Sequence, residues 1–399
     1  MAGWAVLAAS AAYVMHAYLV DFPGELWQLD LEVYRDGGVS LLTGRPLYEW
    51  LTGAPQFLPF TYPPFSAVVM VPLALVPFPV AGWLWSLMQV WLVRVATGLA
   101  FRPFLERFGH RGPLVHGVVA AGLLLLRPVT DGIRFGQINA VVVTLCLADA
   151  VRRSGRLPSG ALTGLAAAVK LTPATFWLHH AAARRWRTLA TSVAAAALAT
   201  LAAAAISPSA SLAYWTDAVL DPTRLGPNDG VSNQSMRGVL MRVGPHDPRL
   251  QTAVWVVLVA VVLTLGLRVS SRLDRLGQPV AVVAAVGMVA VLVSPVSWVH
   301  HWHWGIAVIA ALLGDGRSPR RRVAAVVAAA ALYFDLPWWG GSWPGHGPVV
   351  SALGLVVQQS YTIFAVLALW ALWRLVGAPA EAEVSRSRVP EPAAPPGRP

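Results

Sequence analysis

The stretch VVLVAVVLTLGL at residues 256–267 carries no charged side chain. A second apolar run, VAVVAAVGMVAVLV at 280–293, follows a short segment that contains arginines. A helix of about 20 apolar residues spans the hydrocarbon core of a bilayer, and each run approaches that length together with its flanking residues. These stretches therefore predict membrane-spanning helices.

The composition of the whole chain supports the same prediction. Of its 399 residues, 56% are hydrophobic and 12% are charged, whereas a typical soluble domain has about 25% charged residues. Hydropathy predicts an all-α polytopic membrane protein with about ten to twelve transmembrane helices. We expect the membrane-embedded domain to cover residues 1–377 and the Pro- and Ala-rich segment 378–399 to be a disordered cytoplasmic tail.

The net charge of +11 is concentrated in short arginine clusters between the apolar runs. Arginines at the ends of spans accumulate on the cytoplasmic side of a membrane. The clusters therefore indicate topology and a lipid bilayer as partner, and no nucleic acid is expected. They lie at 152–156, 184–187, 268–275 and 316–322.

The first apolar segment, residues 3–20, lacks a basic leading region and a small-residue cleavage site. We expect it to be a retained first span and not a signal peptide. The single cysteine, Cys146, lies in an apolar run and excludes an intrachain disulfide.

The connections between the arginine clusters are predicted to lie outside the cytoplasm. The first outer loop, 21–65, is rich in acidic residues and poor in arginine, and a second long outer loop covers 207–249. Because polar residues collect in these and the shorter outer connections, we expect a site at the outer surface of the membrane, reached partly from the bilayer. A lipid or sugar transporter is the alternative of another class. Transporters more often have internal repeats and polar residues near mid-membrane, and the sequence has no convincing repeat.

Asp30 is the candidate general base, in the stretch WQLDLEVYRDGG at 27–38. Its neighbours Leu29 and Leu31 predict an apolar environment that raises the pKa of the carboxyl, and a carboxylate of this kind can take a proton from a sugar hydroxyl. The alternative is a solvated loop with a turn at Gly37–Gly38.

Two cationic residues are candidates for binding a phosphate. Lys170 is the only lysine in the chain and lies in an apolar segment interrupted at Pro173. A charge buried in a membrane usually pairs or serves function, although a lysine near an interface can also extend its amine toward water. Arg237 suits bidentate phosphate binding, or it is an ordinary loop charge.

Amides, aromatic residues and histidines form the remaining candidates. Aromatic rings stack on sugars or anchor a chain at the interface, and amides bind hydroxyls or cap helices; the candidates are Tyr62, Gln137, Asn139, Asn233, Gln234 and Trp298. His300 and His301 suit hydrogen bonding to a phosphate or sugar. Zinc is the alternative for the histidines, but no HExxH or Cys/His spacing is present, so neither a metal nor another cofactor is predicted.

Six motifs together resemble one family. They are DLEVYRDGG (30–38), LPFTYPPF (58–65), FGQIN (135–139), AAAVKLTPA (166–174), SNQSMRG (232–238) and SPVSWVHHWHW (294–304). Their order and spacing are similar to those of the actinobacterial polyprenyl-phosphate-mannose-dependent α-(1→2)-mannosyltransferases of the C-type glycosyltransferase superfamily. The resemblance covers nearly the whole chain except the tail.

The resemblance implies a C-type fold with a long first extracytoplasmic loop and a catalytic aspartate at the position of Asp30. It implies a lipid-linked mannose donor and a glycolipid acceptor, either a phosphatidylinositol mannoside or a lipomannan-type lipid. Transfer from a β-mannosyl phosphate to an α-linkage inverts the anomeric centre. We expect Lys170, His300, His301 and Arg237 to hold the departing phosphate. A related transferase that uses another polyprenyl-phosphate sugar, such as arabinofuranose, is the alternative.

Overall fold

The computed structural model describes residues 2–152, 157–221, 224, 226 and 228–376. The predicted tail at 378–399 and most of the first arginine cluster lie outside the described residues. Within them the backbone is mainly helical, and two isolated bridges are the only extended pairings. The predicted all-α class is confirmed.

The first half of the chain folds into helices that are short except for one long apolar helix. In chain order they are α1 (Ala2–Met15), α2 (Leu29–Thr43), α3 (Pro64–Ala74), α4 (Phe78–Ala100), α5 (Arg102–Leu105), α6 (Gly112–Leu124), α7 (Arg127–Phe135), α8 (Asn139–Val151), α9 (Ala161–Val169) and α10 (Thr175–Ala182).

The second half contains the two longest uninterrupted apolar helices besides α4. Its helices are α11 (Trp186–Ile206), α12 (Pro208–Ala213), α13 (Met236–Val243), α14 (Pro248–Arg275), α15 (Pro279–Val293), α16 (Gly305–Leu313), α17 (Pro319–Tyr333), α18 (Leu336–Gly341), α19 (Pro348–Gln358) and α20 (Ser360–Ala371). Proline is the first residue of α3, α12, α14, α15, α17 and α19, where its missing N–H would have no helical partner in any case.

The helices make this a polytopic membrane protein. Three described segments are long and apolar enough to cross a bilayer unaided, namely Ala2–Val20, α11 and α14. Up to six spans result if each sharply bent pair counts as one, such as α3 with α4, which meet at 113°. The predicted ten to twelve spans stay a prediction, since several apolar helices are shorter than a bilayer is thick.

The core is formed around α15 and α16. Every residue of α15 from Ala281 to Leu292 is buried, and α15 packs against α8, α14, α16 and α20. By contrast, the buried residues of α14 all lie in its last third, from Gly266 onward. The rest of α14 presents apolar side chains outward, as expected of a helix that faces lipid.

The segment predicted to be the first outer loop, residues 21–65, contains a docked helix and not only a solvated chain. The alternative turn at Gly37–Gly38 is wrong, because both glycines are buried inside α2. A Cβ on Gly37 would lie 2.5 Å from the ring of Phe60, and one on Gly38 would lie 3.0 Å from the carbonyl oxygen of Met70. The two glycines therefore let α2 pack closely on α3 and on the chain before it.

Candidate active site

Asp30 lies in the first turn of α2, next to the fully buried Leu31. Asp30 is half-buried, so that part of its side chain can still be reached from outside. Loss of hydration raises the pKa of its carboxyl to about 6, although Gln137 and the charge of Lys170 act in the opposite direction. The predicted rise is confirmed. The carboxyl is mostly ionised at neutral pH and basic enough to accept a proton.

Gln137 has its amide oriented by Tyr34. The Tyr34 hydroxyl donates to Oε1 of Gln137 at 3.0 Å, which leaves the Nε2 donors for the carboxyl of Asp30. Gln137 is buried, so this orientation is held by the protein and not by solvent. The arrangement fixes the position of the carboxylate without neutralising it.

Gly136 is what lets Gln137 come so near to α2. Its φ is +71°, and a Cβ at this position would lie 2.5 Å from Cβ of Leu31 and 2.6 Å from Oε1 of Gln28. The carbonyl of Gly136 accepts a hydrogen bond from the Trp85 indole at 2.8 Å. Only a glycine has both the backbone conformation and the clearance that this approach requires.

Asn139 connects Lys170 with the histidine segment. The Lys170 ammonium donates to Oδ1 of Asn139 at 3.0 Å, and Nδ2 of Asn139 donates to the carbonyl of His300 at 2.9 Å. The alternative that Asn139 caps a helix is wrong, since its side-chain oxygen accepts from Lys170 and not from a backbone N–H at the start of α8. Both ends of this amide are used to hold a cation beside the 299–304 turn.

Lys170 is placed by a break in the apolar helix. Its backbone is extended, with φ −147° and ψ 127°, between the end of α9 and the turn that contains Pro173. Lys170 is 7% exposed, and its ammonium lies 5.5 Å from the ring centroid of Tyr62. An ammonium has three donors, of which the described contacts occupy one. The lysine is buried in the site and does not extend to the interface.

Tyr62 belongs to the same group of side chains. Its hydroxyl lies 2.9 Å from that of Tyr34, and the two rings meet edge to face at 4.7 Å. The structure therefore brings together five residues that the sequence predicted separately, namely Asp30, Tyr62, Gln137, Asn139 and Lys170. Tyr34, which orients two of them, was not predicted.

The two predicted histidines adjoin this group. His300 and His301 lie in a helical turn, Val299–Trp304, within electrostatic reach of Lys170. Nε2 of His300 and Nδ1 of His301 are buried and have no hydrogen-bond partner among the described residues. Buried ring nitrogens of this kind usually have a partner, so they are suited to receive a ligand. In the part of the chain that the structure describes, no group of three His, Cys, Asp or Glu side chains could hold a metal.

Asn233 and Gln234 have partners within the protein. Oδ1 of Asn233 accepts from the backbone N–H of Ser297 at 2.9 Å, and Asn233 pairs with Trp298 in an isolated bridge. Nε2 of Gln234 donates to the carbonyl of Gln358 at 2.8 Å. These amides hold the 228–235 segment against the histidine turn and the start of α20. A direct contact of Asn233, Gln234 or Trp298 with a sugar stays a prediction.

Arg237 lies apart from the lysine. It is half-buried on α13, and its guanidinium stacks over the Trp255 ring of α14 at 5.6 Å. No contact described for Arg237 reaches Asp30 or Lys170. Its predicted contact with phosphate stays a prediction.

An ion cluster on α7 was not predicted. Nε of Arg127 lies 3.3 Å from Asp335 and 3.5 Å from Asp131, and Arg134 lies 3.7 Å from Asp131. The cluster ties α7, which leads directly into Gly136, to the segment before α18. The spacing of Arg127, Asp131 and Arg134 on one helix face was a signal for it, whereas Asp335 is too distant in sequence to be paired by pattern.

Comparison with known proteins agrees with this arrangement. The model of glycosyltransferase family 87 matches residues 60–295. A polyprenol-phosphate-mannose-dependent α-(1-2)-phosphatidylinositol mannoside mannosyltransferase of Mycolicibacterium smegmatis is 36% identical over 338 residues, covering 78% of this chain and 75% of that protein. The protein of the same description from Mycobacterium tuberculosis is 32% identical over 329 residues, with coverages of 78% and 76%.

A third relative differs in its acceptor. It is a polyprenol-phosphate-mannose-dependent α-(1-2)-phosphatidylinositol pentamannoside mannosyltransferase of Mycolicibacterium smegmatis, 34% identical over 320 residues, which cover 78% of this chain and 76% of that protein. The family match extends over more than half of the chain, and each of these relatives exceeds 30% identity over most of both sequences. The chain belongs to glycosyltransferase family 87.

Proposed function

We propose that this protein is an inverting mannosyltransferase. It moves mannose from polyprenyl-phosphate-mannose to a 2-hydroxyl of a phosphatidylinositol mannoside or a related lipomannan-type glycolipid, and it forms an α-(1→2) linkage. The observation that carries the proposal is the placement of the Asp30 carboxylate and the Lys170 ammonium in one group of polar side chains. The names of the relatives support the donor, the linkage and the class of acceptor.

Asp30 acts on the acceptor. Its carboxylate takes the proton of the attacking hydroxyl, while the hydroxyl oxygen forms a bond to C1 of the mannose. The bond between C1 and the phosphate oxygen breaks, and its electron pair leaves with the polyprenyl phosphate. A pKa of about 6 for the Asp30 carboxyl is close to the operating pH, which favours general-base catalysis.

Lys170 and the histidine turn act on the leaving group. The ammonium has donors beyond the one used by Asn139, and the unpartnered nitrogens of His300 and His301 lie beside it. Donors fixed in a dry site stabilise the negative charge that develops on the phosphate. A phosphate leaves without being protonated, so one carboxylate suffices, whereas inverting glycosidases need a second carboxylic acid.

The orientation in the membrane follows from charge. Asn139 and Lys170 lie at one end of α8 and α9, and Arg152 follows the other end of α8. Because arginine clusters favour the cytoplasm, Asp30 faces the extracytoplasmic side of the plasma membrane. The donor and the acceptor then reach the site from the outer leaflet.

A transfer assay with purified protein in detergent tests the proposal. A transferase turns over without a closed membrane, whereas a transporter has no measurable action there. The donor is polyprenyl-phosphate-mannose, the acceptor is a phosphatidylinositol mannoside, and NMR of the product reports the anomeric configuration. Polyprenyl-phosphate-arabinofuranose serves as the competing donor. Transfer of arabinose alone, or no transfer of either sugar, would refute the assignment.

Asp36 supplies the matched control for the base. It is a half-buried carboxylate of the same helix α2, and loss of hydration also raises the pKa of its carboxyl. We expect Asp30→Asn to abolish transfer and Asp36→Asn to keep most of it. Equal losses in the two variants would mean that the charge of α2, and not a base at Asp30, supports activity.

A further inference from the structure

A second polar cavity lies at the other end of the helices that build the candidate active site. Its volume is about 270 Å³, and its charged and imidazole-bearing lining residues are Asp149, Arg152, His179, His180, Arg185 and Asp274. The deep wall is buried, as at Cys146 and Phe176, while Gln278 and Pro279 at the rim are exposed. The cavity therefore opens to the protein surface.

The cavity is separate from the group around Asp30. α8 begins at Asn139, in the candidate active site, and carries Asp149 in its last turn, ten residues later. A helical rise of 1.5 Å per residue puts about 15 Å between the two positions. Thr163 of α9 likewise lines the cavity, whereas Lys170 follows the opposite end of that helix. The same two helices thus join two different sites.

His180 provides the main evidence that this cavity binds a ligand. It is 9% exposed, it lines the cavity, and neither of its ring nitrogens has a hydrogen-bond partner among the described residues. A buried imidazole without any partner is rare in a folded protein, because its lost hydration is not replaced. The neighbouring His179 differs, since its Nδ1 lies 2.9 Å from the hydroxyl of Ser270.

The two carboxylates of the cavity are already engaged. Asp149 accepts hydrogen bonds from the Thr163 hydroxyl at 2.7 Å, from two backbone N–H groups at 3.0 and 3.1 Å, and from Arg152. Asp274 accepts from Nε of Arg185 at 2.7 Å. The described side-chain contacts of Arg185 use only this Nε, so the two Nη groups remain as donors.

Exposed arginines flank two of the lining residues in sequence. Arg184 and Arg187 are exposed on either side of Arg185, and the exposed Arg275 follows Asp274. Guanidinium donors in the lining, an unpartnered imidazole and these flanking cations match an anion with several acceptor oxygens. We propose that this cavity binds the phosphate group of a small phosphorylated polyol, either free in solution or as the headgroup of a lipid.

The size of the cavity limits the ligand. Small-molecule pockets usually have volumes of about 300–1,000 Å³, so a cavity of about 270 Å³ suits a phosphate with a polyol of glycerol size. A free phosphorylated polyol and a lipid headgroup can both reach the cavity. The rim is exposed, and α14, which contributes Asp274, presents apolar side chains outward over most of its length.

Binding to the purified full-length protein tests the proposal. Two probes are titrated calorimetrically in a phosphate-free, nonionic detergent, namely glycerol 3-phosphate and short-chain dihexanoyl phosphatidylglycerol. Glycerol is the control without phosphate. Saturable binding of either phosphate probe, without binding of glycerol, is the expected result. Binding of the lipid alone assigns a headgroup, and binding of glycerol 3-phosphate assigns a soluble ligand.

The variants separate a built site from diffuse charge attraction. Arg185→Gln removes a lining guanidinium and should weaken binding at least about tenfold, as expected for a charge-assisted hydrogen bond. Arg187→Gln removes the same charge from the same cluster outside the lining, and should weaken binding less than about threefold. His180→Leu should weaken binding as Arg185→Gln does. Arg185 is half exposed, so its variant should fold even if the buried His180 variant does not.

Three results would overturn the proposal. They are the absence of saturable binding of both phosphate probes, equal weakening by Arg185→Gln and Arg187→Gln, and equal binding of glycerol. Mannosyl transfer does not depend on this site in the geometry described, so Arg185→Gln should keep the transfer rate of the parent. The proposal therefore stands or fails independently of the proposed activity.

Discussion

Replacing Asp30 by asparagine removes the proposed base while the side chain keeps its size. Loss of a general base typically lowers a rate by about 10² to 10⁴, so we expect the kcat of Asp30→Asn to fall by about 10³. For the parent protein, kcat/KM should decrease about tenfold per pH unit below pH 6, because only the ionised carboxylate can accept the proton and the pKa of Asp30 is about 6.

The same substitution should stabilise the protein. The pKa of the Asp30 carboxyl rises from 3.8 to about 6 on folding, and a shift of about two units corresponds to about 3 kcal/mol. Because the folded-state pKa is raised, the protonated form favours folding below pH 4, and this contribution is lost as the pH rises through 6. Asp30→Asn should therefore unfold with a free energy up to about 3 kcal/mol larger above pH 7 and nearly equal at pH 4.

Two measurements on one preparation test this reasoning. Steady-state transfer at several pH values gives kcat and kcat/KM, and thermal unfolding in detergent, followed by tryptophan fluorescence, gives relative stability. Asp36→Asn, on the same helix, is the control for both. An active Asp30→Asn variant would refute the role as base. A variant that is inactive but less stable at pH 7 would show that the carboxylate supports folding, and the catalytic argument would fail with it.

Four further predictions concern the surroundings of this base. Lys170→Ala should raise the donor KM strongly and lose activity, and Lys170→Arg should recover only part of it; if both variants behave like the parent, the amine does not bind the donor. His301→Ala, and to a lesser degree His300→Ala, should lower kcat more than it raises KM. The activity of the parent protein should resist a chelator. Loss of that activity with a chelator, and its return with a divalent ion, would indicate that the histidines bind a metal. Gly136→Ala should lower the free energy of unfolding by about 1–3 kcal/mol, since both its φ and its clearance are violated, and normal stability by thermal melting would contradict the close approach described. Tyr34→Phe should lower kcat by about tenfold through the loss of one orienting hydrogen bond. An unchanged pH–rate profile of this variant would show that Tyr34 is not itself the base.

Much of the helical framework could be predicted from apolar runs and their ends. The run at 256–267 lies within α14 (Pro248–Arg275), and the run at 280–293 corresponds to α15 (Pro279–Val293). Prolines at the first position of a helix and arginines at the ends of spans indicate where these helices begin and end. The interruption near Pro173 was also predicted, and the structure begins it at Lys170. Local composition was sufficient wherever a segment faces lipid or the core along its whole length.

Helix α2 could not be predicted in this way. Two adjacent glycines weaken a helix intrinsically, so the pattern at Gly37–Gly38 favours a turn. Packing against Phe60 and Met70 reverses that preference, and the packing depends on partners that lie more than 20 residues away. The sequence carries no local signal for such a contact.

Some of the site residues could be predicted from their local sequence, and others could not. Asp30 and Lys170 could be predicted because a charge between apolar neighbours is anomalous in its own surroundings. The partners of Asn233 and Gln234 could not, since an amide in a polar segment looks alike whether it binds a sugar or the backbone. Their hydrogen bonds reach Ser297 and Gln358, which no periodicity connects to them.

The position of Lys170 has a practical consequence for chemical labelling. It is the only lysine of the chain, and it is buried beside Tyr62 and Asn139. Apart from the α-amino group, an amine-directed electrophile therefore has a single target, and that target adjoins the proposed base. An amphiphilic aldehyde with a reductant would tag one residue, and protection by the lipid donor would report occupancy without turnover. Immobilising the protein through its amines would modify the site that the experiment is meant to observe.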